Sequence, residues 1–194
     1  MRDEAIRLNL GCGTDIIPGW VNVDYESGKG VDLVADLNSP GKLVKHFALG
    51  SVDEFLLSHV IEHLQHPLDL MEVLWHLGKT GATATIRVPH GASDDAWEDP
   101  THVRPYFYQS FGYFSQPYHW RSFGYGYDAD WQPETVTLLV SKQYLDLDAV
   151  TFFERTKHER NLVREMVAVL RKVSPPRERK RELIVPPKFQ FGAA

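Results

Sequence analysis

One cysteine, Cys12, stands in 194 residues, so no internal disulfide can form and the chain suits a reducing compartment. Positive charge is also in short supply. The 21 Lys and Arg face 26 Asp and Glu, and a formal net charge of −5 argues against a bulk electrostatic hold on nucleic acid. No apolar run is long enough to cross a bilayer, and Met1-Arg-Asp-Glu lacks the apolar core of a signal peptide. There is no internal repeat and no low-complexity segment. With 43% hydrophobic residues, the chain can bury one real core. The expectation is a cytoplasmic protein of a single domain.

The rest of the chain is organised around Ile6 to Asp15, where a short apolar run breaks into Gly11-Cys12-Gly13. Residues without a β-carbon permit a tight turn and a close approach of backbone to ligand. Val21-Asn-Val-Asp24 is a second short strand ending in a carboxylate, followed by Tyr25. A glycine turn after one strand and an acid at the tip of the next form the adenosine-binding arrangement of a Rossmann-type sheet, in which the acid receives the ribose hydroxyls. Val31 to Leu37 reads as a third strand, closed by the turn cluster Asn38-Ser-Pro-Gly41. Lys42 to Leu49 fits a short helix, Val52 to Leu57 a fourth strand, and Leu68 to Leu77 an amphipathic helix ended by Gly78 and Gly81. Ala82 to Pro89 alternates as a fifth strand. Strand and helix in alternation imply parallel pairing and an α/β sheet. Such sheets bind ligands outside the carboxyl ends of their strands, which places Gly11, Asp24, Asp36, Ser58 and His90 on one edge.

Beyond Gly91 the texture changes. Residues 92–131 carry more than half of the chain's aromatic residues, interleaved with Gly, Pro and His, a pattern of lids and binding loops. Strand character resumes at Thr135 to Val140. Asn161 to Val173 predicts an amphipathic helix stopped by Pro175-Pro176, and Glu182 to Pro186 a last edge strand.

Leu8-Asn-Leu-Gly-Cys-Gly13, Asp24, Ala35-Asp36-Leu37 and Ser58-His-Val-Ile-Glu-His-Leu64 together resemble the successive motifs of class I S-adenosylmethionine-dependent methyltransferases of the type 11 kind. The likeness covers roughly the first ninety residues. Arg87-Val-Pro-His90 and Asp99-Pro-Thr-His-Val-Arg104 resemble a subgroup associated with glycan and carbohydrate modification. The resemblance implies a Rossmann-like, mostly parallel sheet with its last strand antiparallel, an aromatic-rich insertion after strand 5, and S-adenosylmethionine as cofactor. It divides one domain, 1–194, into a cofactor-binding half (1–91), a substrate or lid insertion (92–131) and completing strands with a C-terminal helix (132–194). By the family's roles, Gly11, Cys12 and Gly13 flank the methionine part, and Asp24 takes the ribose with Tyr25 beside it. Asp36 and Leu37 border the adenine, while Ser58 and His59 sit by the sulfonium. One departure stands out: Asp15 occupies the position of the usual third glycine, and Thr14 to Trp20 is short for a crossover helix.

For catalysis the candidates are His90 as general base, Asp99 and His102 as its support, and Arg104 to position an anionic group. A positioned base gives about 10²–10⁴-fold towards a hydroxyl nucleophile. The alternative for Asp99 is a loop-locking turn in which it accepts backbone N–H bonds. His90, Asp99 and His102 also form a possible two-imidazole, one-carboxylate metal set, which loop spacing cannot establish. His59-Val-Ile-Glu-His63 formally matches the inverted zinc-peptidase motif, with Glu62 as base. No third ligand is indicated, and no metal is expected. Of the aromatics, Tyr106, Tyr108 and Trp120 are the candidates for ligand contact; the others pack the core or cover a homodimer contact. The basic run Arg177 to Arg181 reads as a solvated face. The acceptor expected is a sugar, nucleotide-sugar or glycan hydroxyl. The competing functions are a nucleotide or nucleic-acid base modifier of phage or mobile-element type using the same cofactor, and a non-catalytic cofactor-binding module.

Overall fold

Short Val- and Leu-rich runs separated by turns pair into one eight-stranded sheet in the computed structural model, which describes residues 4–194. The chain's start, at residues 1–3, lies outside the described part. The strands are β1 (Ile6–Leu10), β2 (Val21–Asp24), β3 (Leu33–Val34), β4 (Val52–Ser58), β5 (Gly78–Pro89), β6 (Trp131–Val140), β7 (Val163–Lys172) and β8 (Lys188–Ala193), in the order β3-β2-β1-β4-β5-β7-β6-β8. β1 to β5 are mutually parallel, β7 runs antiparallel to both neighbours, and β8 adds a parallel edge to β6. The helices are α1 (Gly41–His46), α2 (Pro67–Leu77), α3 (Asp95–Glu98) and α4 (Ala149–Thr156). A mostly parallel Rossmann-like sheet with a reversed last core strand is the expected architecture.

Three elements differ from the sequence expectation. Residues 163–172 form β7 rather than a helix. Met166, Ala168 and Leu170 alternate into the core while Glu165, Val167, Val169 and Arg171 face outward, and three valines favour the pleated surface. The apolar positions 162, 163, 166, 167, 169 and 170 fit either period, and pairing on both sides with β5 and β6 decides for the strand. The edge strand begins at Lys188, not Glu182; Arg181–Leu183 is one turn of 3₁₀ helix. β3 is two residues long, since beyond Val34 the chain turns towards Asn38.

The short connection from β1 to β2 is held by side-chain amides instead of a helix. Asn9 Nδ2 donates to the Asp15 carbonyl at 2.8 Å and to Asn22 Oδ1 at 3.0 Å. Asn22 Oδ1 accepts the Ile17 N–H at 2.9 Å, and the Asn22 N–H donates to Asp32 Oδ2 at 2.8 Å. Both asparagines are buried, so these bonds satisfy backbone groups that a helix would otherwise have paired internally.

Most of the aromatic insertion packs as a layer on the sheet. Phe111, Phe114 and Tyr127 are buried, and Trp131 is fully enclosed with its Nε1–H donating to the Met71 carbonyl at 2.9 Å. Burying a side chain of that size contributes about 2–3 kcal/mol. Within the basic run Glu178, Lys180 and Arg181 are exposed as expected of a solvated face, while Arg177 and Arg179 turn in and latch this layer. Arg177 pairs through Nε with buried Asp130 at 2.7 Å and reaches Gln132 and Ser115, while Arg179 bonds Gln116, Asp128 and the Phe123 and Tyr127 carbonyls.

Candidate functional site

The strand tips of β1, β2 and β4, the turn after β3 and the Ile61–His63 turn enclose a cavity of about 660 Å³. Of the expected cofactor residues, Gly11, Asp24, Tyr25, Asp36, Leu37 and His59 line it. Asn38, Val60, His63, Leu64 and Thr101 complete the wall. Cys12, Gly13 and Ser58 do not line it; Gly13 is exposed and Ser58 half-buried. Cys12 is buried and donates its N–H to the Val23 carbonyl at 3.0 Å; burial, with Asp24 nearby, pushes its thiol up in pKa.

At the β2 tip, Asp24 Oδ2 accepts the Gly13 N–H at 2.8 Å and Oδ1 accepts the Glu26 N–H at 3.1 Å. The carboxylate is thereby fixed, with lone pairs to spare on each oxygen. At the other side Asp36 Oδ1 accepts the Asn38 N–H at 2.8 Å, and Asn38 Oδ1 in turn accepts the Gln65 N–H at 2.8 Å. Gly11 has φ +65, and a β-carbon there would sit 2.5 Å from Val60 Cγ2, so the bend after β1 admits glycine alone without displacement of the opposite wall.

His59, at the end of β4, also adopts a left-handed φ of 54, a strained conformation for a residue with a β-carbon. Its ring lies between two carboxylates, Nδ1 at 3.5 Å from Glu62 Oε1 and Nε2 at 3.6 Å from Glu165 Oε1. The Glu62 carboxylate raises the His59 pKa above the ordinary imidazole range, against the opposing effect of burial. Charge holds this pair rather than a formed hydrogen bond, because neither oxygen of Glu62 has a hydrogen-bond partner. Glu62 is 2% exposed. An unsatisfied buried polar group costs about 1–3 kcal/mol, and more when charged. His59 and His63 do not share the face of an α-helix, since Ile61–His63 is a single 3₁₀ turn, and the inverted zinc-peptidase geometry is not formed.

None of His90, Asp99, His102 or Arg104 lines the cavity. His90 is 3% exposed, with the Phe107 ring edge-on at 5.2 Å. Its Nδ1 accepts the Ala92 N–H at 3.2 Å, which puts the proton on Nε2, a buried atom without a partner. Burial pushes His90 down to about 4. This is the environment of a packed neutral imidazole, and it does not suit the expected general base. Asp99 accepts the Thr101 N–H at 2.8 Å and the Thr101 hydroxyl at 2.6 Å, which lowers its pKa and realises the loop-locking alternative. Arg104 donates to the Gln65 carbonyl at 2.8 Å and docks the loop. The loop's contribution to the cavity is Thr101, whose Oγ1 lies 2.9 Å from His63 Nδ1. Thr101 and His63 join this wall from outside the expected set; the Asp99-x-Thr101 spacing of a side-chain-capped turn is the sequence signal for the first of them. Of the three aromatic candidates, Tyr106 is buried with its hydroxyl donating to Ile61, Tyr108 packs on Phe153 and Phe189, and Trp120 stacks with Arg121 and Arg181.

No protein-family model and no curated protein sequence matches the chain. Solved structures do. A SAM-dependent methyltransferase from Archaeoglobus fulgidus superimposes with a TM-score of 0.56 at 15% identity, over 88% of this chain and 87% of that one. The chain has a methyltransferase fold. The 1,6-didemethyltoxoflavin-N1-methyltransferase of Burkholderia thailandensis, holding its substrate and S-adenosylhomocysteine, aligns at 11% identity with a TM-score of 0.51, over 88% of this chain and 72% of that one. A variant of the 16S rRNA adenine-N1 methyltransferase from Catenulisporales acidiphilia, with SAM, aligns at 15% identity with a TM-score of 0.50, over 89% and 87%. At such identities the likeness is one of fold. The two named acceptors, a small heterocycle and an rRNA base, differ from each other, and neither is a carbohydrate. Among the described residues no helix is long and apolar enough to cross a membrane.

Proposed function

We propose that this chain is an S-adenosylmethionine-dependent methyltransferase whose acceptor is a hydroxyl of a sugar, nucleotide-sugar or glycan. The observation that carries the reading is the pair of fixed carboxylates, Asp24 and Asp36, on one cavity of about 660 Å³ beside the Gly11 bend. That volume falls within the range of small-molecule sites. The donor chemistry fits: each carboxylate keeps free lone pairs for hydroxyl or amino donors, and Leu37, Val60 and Leu64 give the wall an apolar surface for a purine. When bound, the cofactor supplies an electrophilic methyl carbon.

The chain's own residues then have separate tasks. Asp24 binds the ribose and Asp36 the adenine, with Leu37 and exposed Tyr25 bordering them. Gly11 keeps the backbone close, Cys12 and Gly13 tie the bend to β2 through their N–H groups, and His59, next to Ser58, forms the wall at the β4 tip. Asp99 fixes Thr101, and Thr101 fixes His63, so Asp99 acts as a positioning residue on the acceptor side; Arg104 and His102 hold the same loop. His90 supports this layer by packing. Alignment of acceptor with donor can supply up to about 7–11 kcal/mol of the barrier. Trp97, on α3, supports the carbohydrate assignment: its Nε1–H is tied to the Gly91 carbonyl at 2.8 Å while 61% of the residue is exposed, a fixed platform just before the Asp99 turn.

Incubation with methyl-labelled S-adenosylmethionine and fractionated extract tests this function. Label in a carbohydrate fraction is the expected result. Label in nucleic acid would replace the acceptor by a base. Cofactor binding without transfer to any fraction would make the protein a non-catalytic module.

A further inference from the structure

We propose that Glu62, His63 and His102 bind a divalent first-row transition-metal ion of the zinc class. One candidate ligand atom from each residue lies within 4.8 Å of the others, and the two imidazoles meet edge-on with centroids 4.7 Å apart. Donors held by bonds of about 2.0–2.2 Å on a tetrahedral ion stand about 3.3–3.6 Å apart, so a group spread to 4.8 Å closes by at most about 1.5 Å on binding.

Two further observations point to an ion. Glu62 is 2% exposed and neither of its oxygens has a formed hydrogen bond; the His59 ring stands 3.5 Å from Oε1, too long to satisfy it, and the carboxylate keeps lone pairs for an ion. Both rings are also preset for ligation. The Thr101 hydroxyl gives its proton to Asp99 Oδ1 at 2.6 Å, so towards His63 it can only accept; His63 Nδ1 therefore carries the hydrogen and Nε2 the lone pair. His102 Nδ1 faces the Ala96 carbonyl at 3.1 Å and donates to it, which in the neutral ring leaves the lone pair on Nε2, 3.9 Å from Asp99 Oδ2. Metal-binding imidazoles are oriented in this way, through the other nitrogen's bond to a carbonyl or a carboxylate-linked group. Two imidazoles and one carboxylate, with positions left for water or ligand, suit zinc, cobalt, nickel or iron rather than calcium or magnesium.

This set is not the one suggested by the His59-x-x-Glu62-His63 string. His59 lies beside Glu62 as a competing cation, and His102, from the loop after α3, takes the place of the second histidine. An ion here ties that loop to the turn after β4. Through His63 it adjoins the cavity described above, although its binding does not depend on what the cavity holds.

The test is cobalt(II) titration of the untagged chain without cofactor, followed by visible absorption and competition with zinc. One equivalent with d–d bands is expected. Glu62→Gln and His102→Ala, with melting curves as fold controls, lose more than roughly tenfold in affinity, and His59→Ala binds as well as or better than the parent. His102→Gln, a milder change on the exposed loop, gives the same loss if His102→Ala unfolds. Absence of binding at millimolar cobalt overturns the proposal, as does affinity lost in His59→Ala and kept in both His102 variants. Binding of the methyl donor, measured separately, fails or succeeds independently of either result.

Discussion

The Gly13 N–H donates to Asp24 Oδ2 at 2.8 Å, joining the bend after β1 to the carboxylate at the tip of β2. The group proposed to grip the ribose is thus held by the turn proposed to border the donor. Asp24→Ala removes the acceptor and strands the Gly13 N–H together. Its affinity for S-adenosylhomocysteine should fall more than about tenfold, equivalent to about 1.4 kcal/mol. Calorimetric titration of both proteins measures it; unchanged affinity removes Asp24 from the site.

Gly11 and Gly13 separate two costs of the same substitution. Both have left-handed backbones, φ +65 and +48, which cost a residue with a β-carbon about 1–2 kcal/mol. At Gly13 nothing lies within 4 Å of the added carbon, whereas at Gly11 it meets Val60 Cγ2 at 2.5 Å. Gly11→Ala should therefore be the more destabilising by about 1–3 kcal/mol, from overpacking. Urea unfolding of the two variants gives the difference.

Burial holds His90 at about 4, below the ordinary imidazole value of 6.5. Above about pH 6.5 the ring is neutral in both states and has no effect on stability. Between about 6.5 and 4 the unfolded chain takes up a proton that the folded chain refuses, so stability falls as pH falls. The full loss approaches about 3 kcal/mol and levels off below about pH 4, where both states are protonated. His119, also lowered by burial, acts in the same direction. His90→Gln should flatten the stability profile between pH 7 and 4.5, measured by denaturant unfolding. An unaltered slope contradicts the packed, neutral ring.

Asp130 is fully buried, and its carboxylate accepts from Arg177 Nε at 2.7 Å, from the Arg177 N–H at 2.9 Å and from the Gln116 N–H at 3.1 Å. Removal of one side leaves a buried charge without a partner. Asp130→Ala and Arg177→Met should each cost about 3–5 kcal/mol. The double variant should cost clearly less than the sum of the two, because one interaction is removed twice. Additive losses in a double-mutant cycle dissolve the latch.

The first five strands of the fold are legible in the sequence because their signals are local. The break at Gly11-Cys12-Gly13 and the acid ending Val21–Asp24 lie within one strand or turn, and Asp24, Asp36 and His59 reach one cavity as the topology requires. β7 was not legible, since its apolar positions satisfy both periods and only β5 and β6 on either side select the strand. Spacing signals the Asp99–Thr101 turn but not its contact with His63, nor the pairing of Arg177 with Asp130. Those partners become neighbours only when the chain folds back, and a run of Arg and Lys looks the same latched or solvated. The position of His90 just past β5 follows from the strand pattern, whereas its burial does not, because Phe107, seventeen residues on, is what covers it.

Isothermal titration of the purified chain with S-adenosylhomocysteine decides whether the strand-tip cavity takes the adenosine of a methyl donor. Saturable binding of one equivalent, weakened in both Asp24→Ala and Asp36→Ala, is the expected result; no uptake at millimolar ligand, or binding indifferent to both carboxylates, overturns it.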